Sequence, residues 1–205
     1  MVISHLMPFN YAILKDWFNA EEEKDRPELT GLLPHQKLLL LSDGSMTLDL
    51  ELLWRSMVEV EVKFQGITRL GDEAALYLEE KKGKDALERE VWLTVEDKRL
   101  VYAHSVIPLD RIEDSILNDI LANSSEPLGR VLTTRKVFFA KKKLEVGVVS
   151  CESAATDLGI DAKTPLIARR YILYNNSSPT KWVIKAGVTE IFSPEIISNR
   201  FLKER

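Results

Sequence analysis

Residues 86–95 read Ala-Leu-Glu-Arg-Glu-Val-Trp-Leu-Thr-Val, and this stretch decides the fold prediction. Successive side chains of a β-strand point to opposite faces of its sheet. Arg89 therefore shares its face with apolar side chains: Leu87, Val91, Leu93 and Val95. The run is predicted to be a strand that carries a cation on its core side.

A second run, residues 181–192, places a carboxylate in the same kind of position. It reads Lys-Trp-Val-Ile-Lys-Ala-Gly-Val-Thr-Glu-Ile-Phe. Glu190 shares its face with Trp182, Ile184, Ala186, Val188 and Phe192. A charge on the core side of a sheet is costly unless it is paired or has a function. Arg89 and Glu190 are therefore the first candidates for a binding or catalytic site.

Composition indicates an ordinary soluble globular protein. The chain has 205 residues, 45% of them hydrophobic and 29% charged, with a formal net charge of -4. This length favours one domain, 1–205, and an acidic chain lacks the basic surface of a dedicated nucleic-acid binder. The single cysteine, Cys151, suits a reducing compartment. With no bilayer-length apolar run and no secretion signal, we expect a cytoplasmic protein without nucleic-acid or membrane partners.

Hydrophobic periodicity predicts helices first and strand hairpins afterwards. The N-terminal extension, 1–30, is predicted to hold a helix capped by Asn10, whose apolar face carries Tyr11, Leu14, Trp17 and Phe18. Two helices with a tight turn follow between residues 34 and 54, and helical spacing returns at 110–121 and 152–158. Alternation predicts six strands: 58–65, 87–95, 100–107, 136–149, 166–174 and 181–192. Residues 195–205 are a C-terminal tail.

This order of elements predicts an α+β protein. The strands are joined mostly as hairpins, without a regular strand-helix alternation, which favours an antiparallel sheet. The expected architecture is a single domain with an antiparallel sheet of about six strands and helices packed on it.

Common catalytic motifs are absent, so the chemistry must come from ordinary side chains. No Gly-rich phosphate loop, His-Glu-x-x-His motif or Cys/His ligand spacing is present, and we expect no metal site. His104 is interpreted as a core or pocket-rim histidine. At most one side chain of the pair 169–170 can face the same way as Arg89. Residues 141–143, three lysines, are interpreted as a solvated strand edge that blocks strand addition.

Five motifs occur in order along residues 33–194. They are Leu-Pro-His-Gln-Lys-Leu-Leu-Leu at 33–40, Asp-Gly-Ser-Met-Thr at 43–47, Arg-Glu-Val at 89–91 leading to Ala-His-Ser-Val-Ile-Pro at 103–108, Pro-Leu-Gly-Arg at 127–130, and Thr-Glu-Ile-Phe-Ser-Pro at 189–194. Together they resemble the chorismate pyruvate-lyase family. The resemblance is strongest to the branch found in archaea, mycobacteria and cyanobacteria, and weaker to the bacterial ubiquinone-pathway enzyme.

The resemblance implies a chorismate lyase-like fold with a buried cavity beneath flap-like helical segments. It also implies conversion of chorismate to 4-hydroxybenzoate and pyruvate without a metal or organic cofactor. By position, Arg89 matches the arginine that binds the ring carboxylate, and Glu190 matches the glutamate near the ring oxygen. Met46 and Leu128 match residues that line and close the pocket. His104 replaces an arginine of the bacterial enzyme, so the group that holds the enolpyruvyl carboxylate stays open. The candidates are His104, Arg135 and Arg170.

Two other interpretations stay open. Residues 155–170 also resemble the effector-binding domains of bacterial winged-helix regulators, which share this fold, so a non-catalytic sensor of a small aromatic or carboxylic acid is the alternative. The acidic residues before the first motif do not resemble a DNA-binding domain, which counts against a regulator. A structural protein would instead pair Arg89 with Glu190 directly. The lyase hypothesis expects the two to line one cavity with room for a benzoate-sized ring and with Leu128 nearby.

Overall fold

A computed structural model describes residues 9–20, 22–23, 25–178 and 181–198. The hairpin that contains Arg89 has a tight turn. The strand that contains Arg89 ends at Val95 and the next begins at Lys98. The two turn residues, Glu96 and Asp97, both have left-handed backbones, with φ of 49° and 63°. Such a turn matches the natural twist of the flanking strands, so it fixes the hairpin that carries Arg89.

Seven strands and seven α-helices make up the described chain. The strands are β1 Ala12–Asn19, β2 Glu59–Arg69, β3 Asp85–Val95, β4 Lys98–Pro108, β5 Ala140–Ser150, β6 Leu166–Ser178 and β7 Lys181–Phe192. The helices are α1 Pro27–Thr30, α2 Pro34–Leu41, α3 Met46–Trp54, α4 Asp72–Leu78, α5 Asp114–Ala122, α6 Leu128–Thr134 and α7 Glu152–Leu158, with a 3-10 turn at Leu109–Arg111.

The strands form one antiparallel sheet in the order β1-β5-β6-β7-β4-β3-β2. The predicted α+β class and antiparallel sheet are therefore confirmed, with seven strands rather than about six. Of the predicted helices, the pair between residues 34 and 54 and the helix at 152–158 are confirmed, and the helix at 110–121 begins later, at Asp114. Helices α1, α4 and α6 were not predicted.

The predicted helix in the N-terminal extension is wrong. The chain forms strand β1 there, which pairs with β5 and places Phe18 opposite Val146. The apolar spacing misled because Leu14 remains 46% exposed, whereas Phe18 enters the core. Pairing with the free edge of β5 outweighs the weak helical pattern, and residues 1–8 of the predicted extension lie outside the described chain.

The predicted C-terminal tail begins inside the core. Ile196 and Ile197 are buried. The Gln36 side-chain amide donates a hydrogen bond of 3.0 Å to the carbonyl of Ile196, which ties this segment to α2. Residues 199–205 lie outside the described part of the chain.

The two faces of the sheet have different roles. Helices α1–α3, α5 and α6 cover the face that carries Arg89 and Glu190, with apolar clusters at both ends. On the other face, helix α7 packs around Trp92 and Tyr102, and helix α4 packs around Leu78. Within the described residues, no helix is long and apolar enough to cross a lipid bilayer.

Candidate functional site

A covered cavity lies between the central strands and two segments of the helical layer. The segments, 42–47 and 127–130, are called the covering segments below. Polar side chains enter the cavity from five strands: Arg89 on β3, Ser105 on β4, Lys141 on β5, Tyr171 on β6 and Glu190 on β7. The remaining lining is mostly apolar: Val91, Leu93, Ala103, Phe139, Leu173 and Val188. The structure thus brings four of the predicted site residues together at this cavity: Met46, Arg89, Leu128 and Glu190.

Arg89 is a buried cation without a carboxylate partner among the described residues. Its side chain lies opposite Ser105 in the sheet, and the residue is 4% exposed. Its Nη2 donates to the carbonyl oxygens of Ser124 and of Glu126, the latter at 2.9 Å, while its Nε has no partner. Burial lowers the pKa of Arg89 to about 10, against a small opposing effect of the Glu126 carboxylate, so the guanidinium is charged at neutral pH. A positive charge is therefore available to an anion in the cavity.

Glu190 is held by two donors on the neighbouring strand. Arg169 lies directly opposite it, and the Arg169 Nε donates to Glu190 Oε2 at 2.5 Å. The hydroxyl of Tyr171 donates to the other oxygen at 3.1 Å. Each carboxylate oxygen therefore has one fixed donor, and this arrangement fixes the orientation of Glu190 at the cavity wall.

Arg169 joins this group to the helical layer. Its Nη1 donates to the carbonyls of Leu39 at 2.6 Å and of Leu40 and Ser42 at 3.3 Å, at the C-terminal end of α2. A cation is favourable there because unpaired carbonyls give a helix C-terminus negative character. Burial lowers the pKa of Arg169, but the Glu190 carboxylate outweighs that effect and the pKa lies above its usual value.

Lys141 is the residue at this cavity that sequence reasoning misplaced. It was interpreted as part of a solvated edge, yet its amine lies 4.5 Å from the centre of the Tyr171 ring. The amine donates to the carbonyls of Ser42 at 2.9 Å and Gly44 at 2.7 Å. Burial, followed by the nearby Arg169 charge, lowers the pKa of Lys141 to about 8. Lys141 thus ties the first covering segment to the sheet.

The two covering segments close over the cavity in direct contact. A Cβ on Gly129 would lie 2.7 Å from the Ser45 hydroxyl, so any side chain at residue 129 must displace that hydroxyl. Arg130 also donates to Glu51, which joins α6 to α3. The enclosed volume is about 70 Å³, smaller than the roughly 150 Å³ of a cavity that accepts benzene. The expected room for a benzoate-sized ring is therefore absent from the cavity in this structure.

Two other predicted residues, His104 and Arg170, lie on the opposite face of the sheet. Both line a separate pocket of about 380 Å³. His104 Nε2 is 2.8 Å from Glu88 Oε1, and the imidazole stacks on the Phe9 ring at 4.2 Å. Arg170 donates to Glu145 at 2.6 Å.

Arg135 lies at the molecular surface, away from both pockets. Its Nε donates to Asp119 at 2.5 Å. None of the three candidates for the enolpyruvyl carboxylate, His104, Arg135 and Arg170, therefore lines the cavity that holds Arg89 and Glu190.

The only grouping of metal-type ligands found among the described residues is Glu88, Glu90 and His104, whose ligand atoms lie within 4.8 Å of one another. These groups already have partners. Glu88 pairs with His104, and Glu90 accepts a 2.7 Å hydrogen bond from the Tyr102 hydroxyl. The group acts as a hydrogen-bonded network between β3 and β4.

An antiparallel sheet with a covered, charge-lined cavity on one face defines a chorismate lyase-like fold. The chain belongs to the family described as "Chorismate pyruvate-lyase Rv2949c-like", which matches residues 40–200. No curated protein is significantly similar in sequence.

Solved structures show the same fold at low sequence identity. PhnF from Mycobacterium smegmatis is 16% identical with a TM-score of 0.57, over 76% of this chain and 66% of that one. The effector domain of the same PhnF is 15% identical with a TM-score of 0.55, over 76% and 91% of the two chains. A putative transcriptional regulator from Streptomyces coelicolor is 16% identical with a TM-score of 0.53, over 70% and 91%. The shared fold with regulator effector domains is thus confirmed.

Proposed function

We propose that this protein is a chorismate lyase, which converts chorismate to 4-hydroxybenzoate and pyruvate without a metal or organic cofactor. The observation that carries the proposal is that Arg89 and Glu190 line one covered cavity without pairing to each other. The direct Arg89–Glu190 pair expected of a purely structural protein does not form, since Glu190 pairs with Arg169 instead. Membership of the lyase family supports the reaction class.

The reaction requires little covalent chemistry from the protein. The ring of chorismate loses its C4 proton, the electrons of that C–H bond complete the aromatic ring, and the C3–O bond breaks with its electrons on the enolpyruvyl oxygen. The departing enolate takes up a proton at its methylene carbon and becomes pyruvate. Aromatisation drives the elimination, so the site must position the substrate and stabilise the charge that develops.

Arg89 and Glu190 are assigned the two positioning roles. The Arg89 guanidinium anchors the ring carboxylate, because a carboxylate is the natural counter-ion of a buried cation that has only carbonyl partners. Glu190 accepts a hydrogen bond from the ring hydroxyl and receives the adjacent C4 proton. Arg169 and Tyr171 hold the Glu190 carboxylate in a fixed orientation for this role.

The covering segments complete the site. Met46 and Leu128 line the cavity from above, one on each segment. Outward movement of the segments admits the ring, and closure excludes water around the charges, which strengthens their interactions with the substrate. Met46 and Leu128 therefore have a packing role in this proposal.

The test is incubation of the purified chain with chorismate, with both products identified and counted. We expect pyruvate and 4-hydroxybenzoate in equal amounts. Arg89→Lys keeps the charge but loses the planar fork, and we expect kcat/KM to fall by at least about 100-fold. Glu190→Gln keeps the shape of the carboxylate, and we expect kcat to fall by about 100-fold or more because it cannot accept the proton.

The matched control is His104→Ala, which alters a buried polar contact on the opposite face of the sheet. We expect it to retain wild-type turnover. Binding of chorismate or 4-hydroxybenzoate without release of pyruvate would refute the lyase and favour a sensor of the same fold. Arg89→Ala should abolish ligand binding, and full ligand affinity in that variant would remove Arg89 from the site.

A further inference from the structure

The four charged groups described at the cavity, Arg89, Lys141, Arg169 and Glu190, carry a net charge of +2, and the other carboxylates that act on Lys141, Asp49 and Asp43, do not line it. Arg169 and Glu190 neutralise one another. Arg89 and Lys141 remain, and within the described residues neither has a carboxylate within salt-bridge distance, since their hydrogen-bond partners are backbone carbonyls. Two positive charges thus face one small cavity, and a ligand with two negative charges would balance them.

The two cations approach the cavity from opposite sides. Arg89 is on β3 and Lys141 on β5, with β4, β7 and β6 between them. Four strand spacings separate their backbones by about 19 Å, and both long side chains reach inward to line the same space. Glu190, on β7, lies between them in the order of strands. A ligand that spans the cavity would meet a cation at each end and a carboxylate in the middle.

The Lys141 amine is already fixed in position. Two of its three N–H groups are directed to the Ser42 and Gly44 carbonyls, and the Tyr171 ring lies against it. An ammonium group has three donors, so one remains for a ligand. Little conformational freedom is lost when that donor binds, which favours affinity.

We propose that Lys141 binds the second carboxylate of a dicarboxylate substrate whose first carboxylate is held by Arg89. The proposal rests on the proposed function: in chorismate this second group is the enolpyruvyl carboxylate. The site then selects a dianion over a monoanion. Lys141 loses its carboxylate partner when pyruvate leaves, because 4-hydroxybenzoate keeps only the carboxylate at Arg89, and product release is favoured.

Titration of Lys141 gives the proposal a pH signature. Burial and Arg169 lower its pKa to about 8, while Glu190, Asp49 and Asp43 act in the opposite direction. Lys141 is therefore mostly charged at pH 7 and loses its charge as the pH rises through about 8. We expect the affinity for a dicarboxylate to fall over that range, and the decline to move to higher pH in Lys141→Arg.

The experiment compares two ligands in variants of one residue. Dissociation constants for chorismate and 4-hydroxybenzoate are measured by calorimetry in a Glu190→Gln background, in which chorismate is consumed slowly. The background is compared with the same chain carrying Lys141→Met, Lys141→Gln or Arg89→Lys. Loss of a charged hydrogen bond weakens binding by about 10- to 100-fold. We expect that loss for chorismate in both neutral Lys141 variants, with about twofold change for 4-hydroxybenzoate, whereas Arg89→Lys weakens both ligands.

Every other outcome refutes the Lys141 proposal, the lyase proposal or both. Equal loss of both ligands in the Lys141 variants would mean that Lys141 only holds the covering segment, and no loss would remove it from binding; either overturns the inference. Selective loss of chorismate binding without pyruvate release in the wild type would retain the dicarboxylate site and refute the lyase. A wild type that binds neither ligand would refute both.

Discussion

The buried pair Arg169–Glu190 allows a quantitative test of how the site is built. Arg169 is 0% exposed and Glu190 is 3% exposed. Removing one partner of such a pair leaves an uncompensated buried charge, at a cost of about 3–5 kcal/mol. For a chain of this length each kcal/mol shifts the melting temperature by about 2–4 °C. Glu190→Leu should therefore lower the melting temperature by about 6–20 °C.

The reverse change, Arg169→Met, removes the same ion pair together with the hydrogen bonds to the end of α2. We expect a cost of about 3–5 kcal/mol or more. The double variant Arg169→Met/Glu190→Leu contains no buried charge at this position. It should lose no more stability than the worse single variant, so the coupling energy between the two positions is at least the smaller single loss, about 3 kcal/mol.

The assay is urea unfolding of the four proteins, with the midpoint compared at constant slope. Single-variant losses that add within about 0.5 kcal/mol would show that the two side chains do not depend on each other, and the reasoning would fail. A matched control is the pair Arg99–Glu61, whose side chains are 34% and 39% exposed. Its cycle should give a coupling of about 1 kcal/mol or less, because solvent screens an exposed pair.

Two further predictions concern the covering segments and the acid side of stability. Gly129→Ala places a methyl group 2.7 Å from the Ser45 hydroxyl, so ligand affinity should fall. Ser45→Ala in the same chain removes that hydroxyl and should restore the affinity. If a calorimetric titration shows no restoration, the contact is not the cause of the loss. For Glu80, burial raises the pKa, but hydrogen bonds from Arg111, Lys185 and Lys84 outweigh it and hold the pKa at about 2. Because this folded-state pKa is depressed, the stabilisation is present above the unfolded pKa of about 4.3 and is lost as the pH falls toward 2. Glu80→Gln should flatten the decline of melting temperature over that window, and an unchanged slope would contradict the assignment.

Strand alternation alone placed Arg89 and Glu190 on the inner face of the sheet, and the motifs placed Met46 and Leu128 beside them. Alternation succeeded because one face of each strand is buried, which fixes the register against a slip of one residue. Alternation does not identify the residue that lies opposite on the neighbouring strand. The Arg169–Glu190 pair depends on the pairing of β6 with β7, and two adjacent arginines do not reveal which one faces inward.

A β-bulge explains why His104 was a misleading candidate. In a regular hairpin that pairs Val95 with Lys98, Arg89 would lie opposite His104. The register shifts between Leu93 and Thr94, so Arg89 lies opposite Ser105 and His104 points to the other face. A bulge inserts one residue into one strand and reverses the faces beyond it, and residues 85–108 carry no pattern that fixes its position.

Lys141 was missed for a related reason. In sequence, three successive lysines are typical of a solvated edge, and Lys143 and Lys142 do pair with Glu79 near the surface. Strand β1 pairs with residues 145–150 of β5, so the three lysines lie on a part of the edge that β1 does not reach. Lys141 differs from the other two because its side chain enters the cavity and donates to the Ser42 and Gly44 carbonyls. Those contacts join residues 99 and 97 positions apart in sequence, and a run of lysines does not reveal them.

The charged side chains of this cavity stand on strands of the sheet and not on the helices that cover it. The backbone supplies only a covered cavity above the central strands, and regulators that share the fold at about 16% identity show that it is not tied to one chemistry. The elimination proposed here needs no nucleophile, but it needs charges that do not reorganise during the reaction. Side chains fixed by the register of neighbouring strands meet that requirement better than side chains on loops. Arg89, Glu190 and Lys141 each stand on a strand and each have fixed hydrogen-bond partners. When the covering segments move, Arg89 and Glu190 keep the hydrogen-bond partners named above, which lie outside those segments. Lys141 must release the Ser42 and Gly44 carbonyls of the first segment, so opening of the cavity also frees its amine.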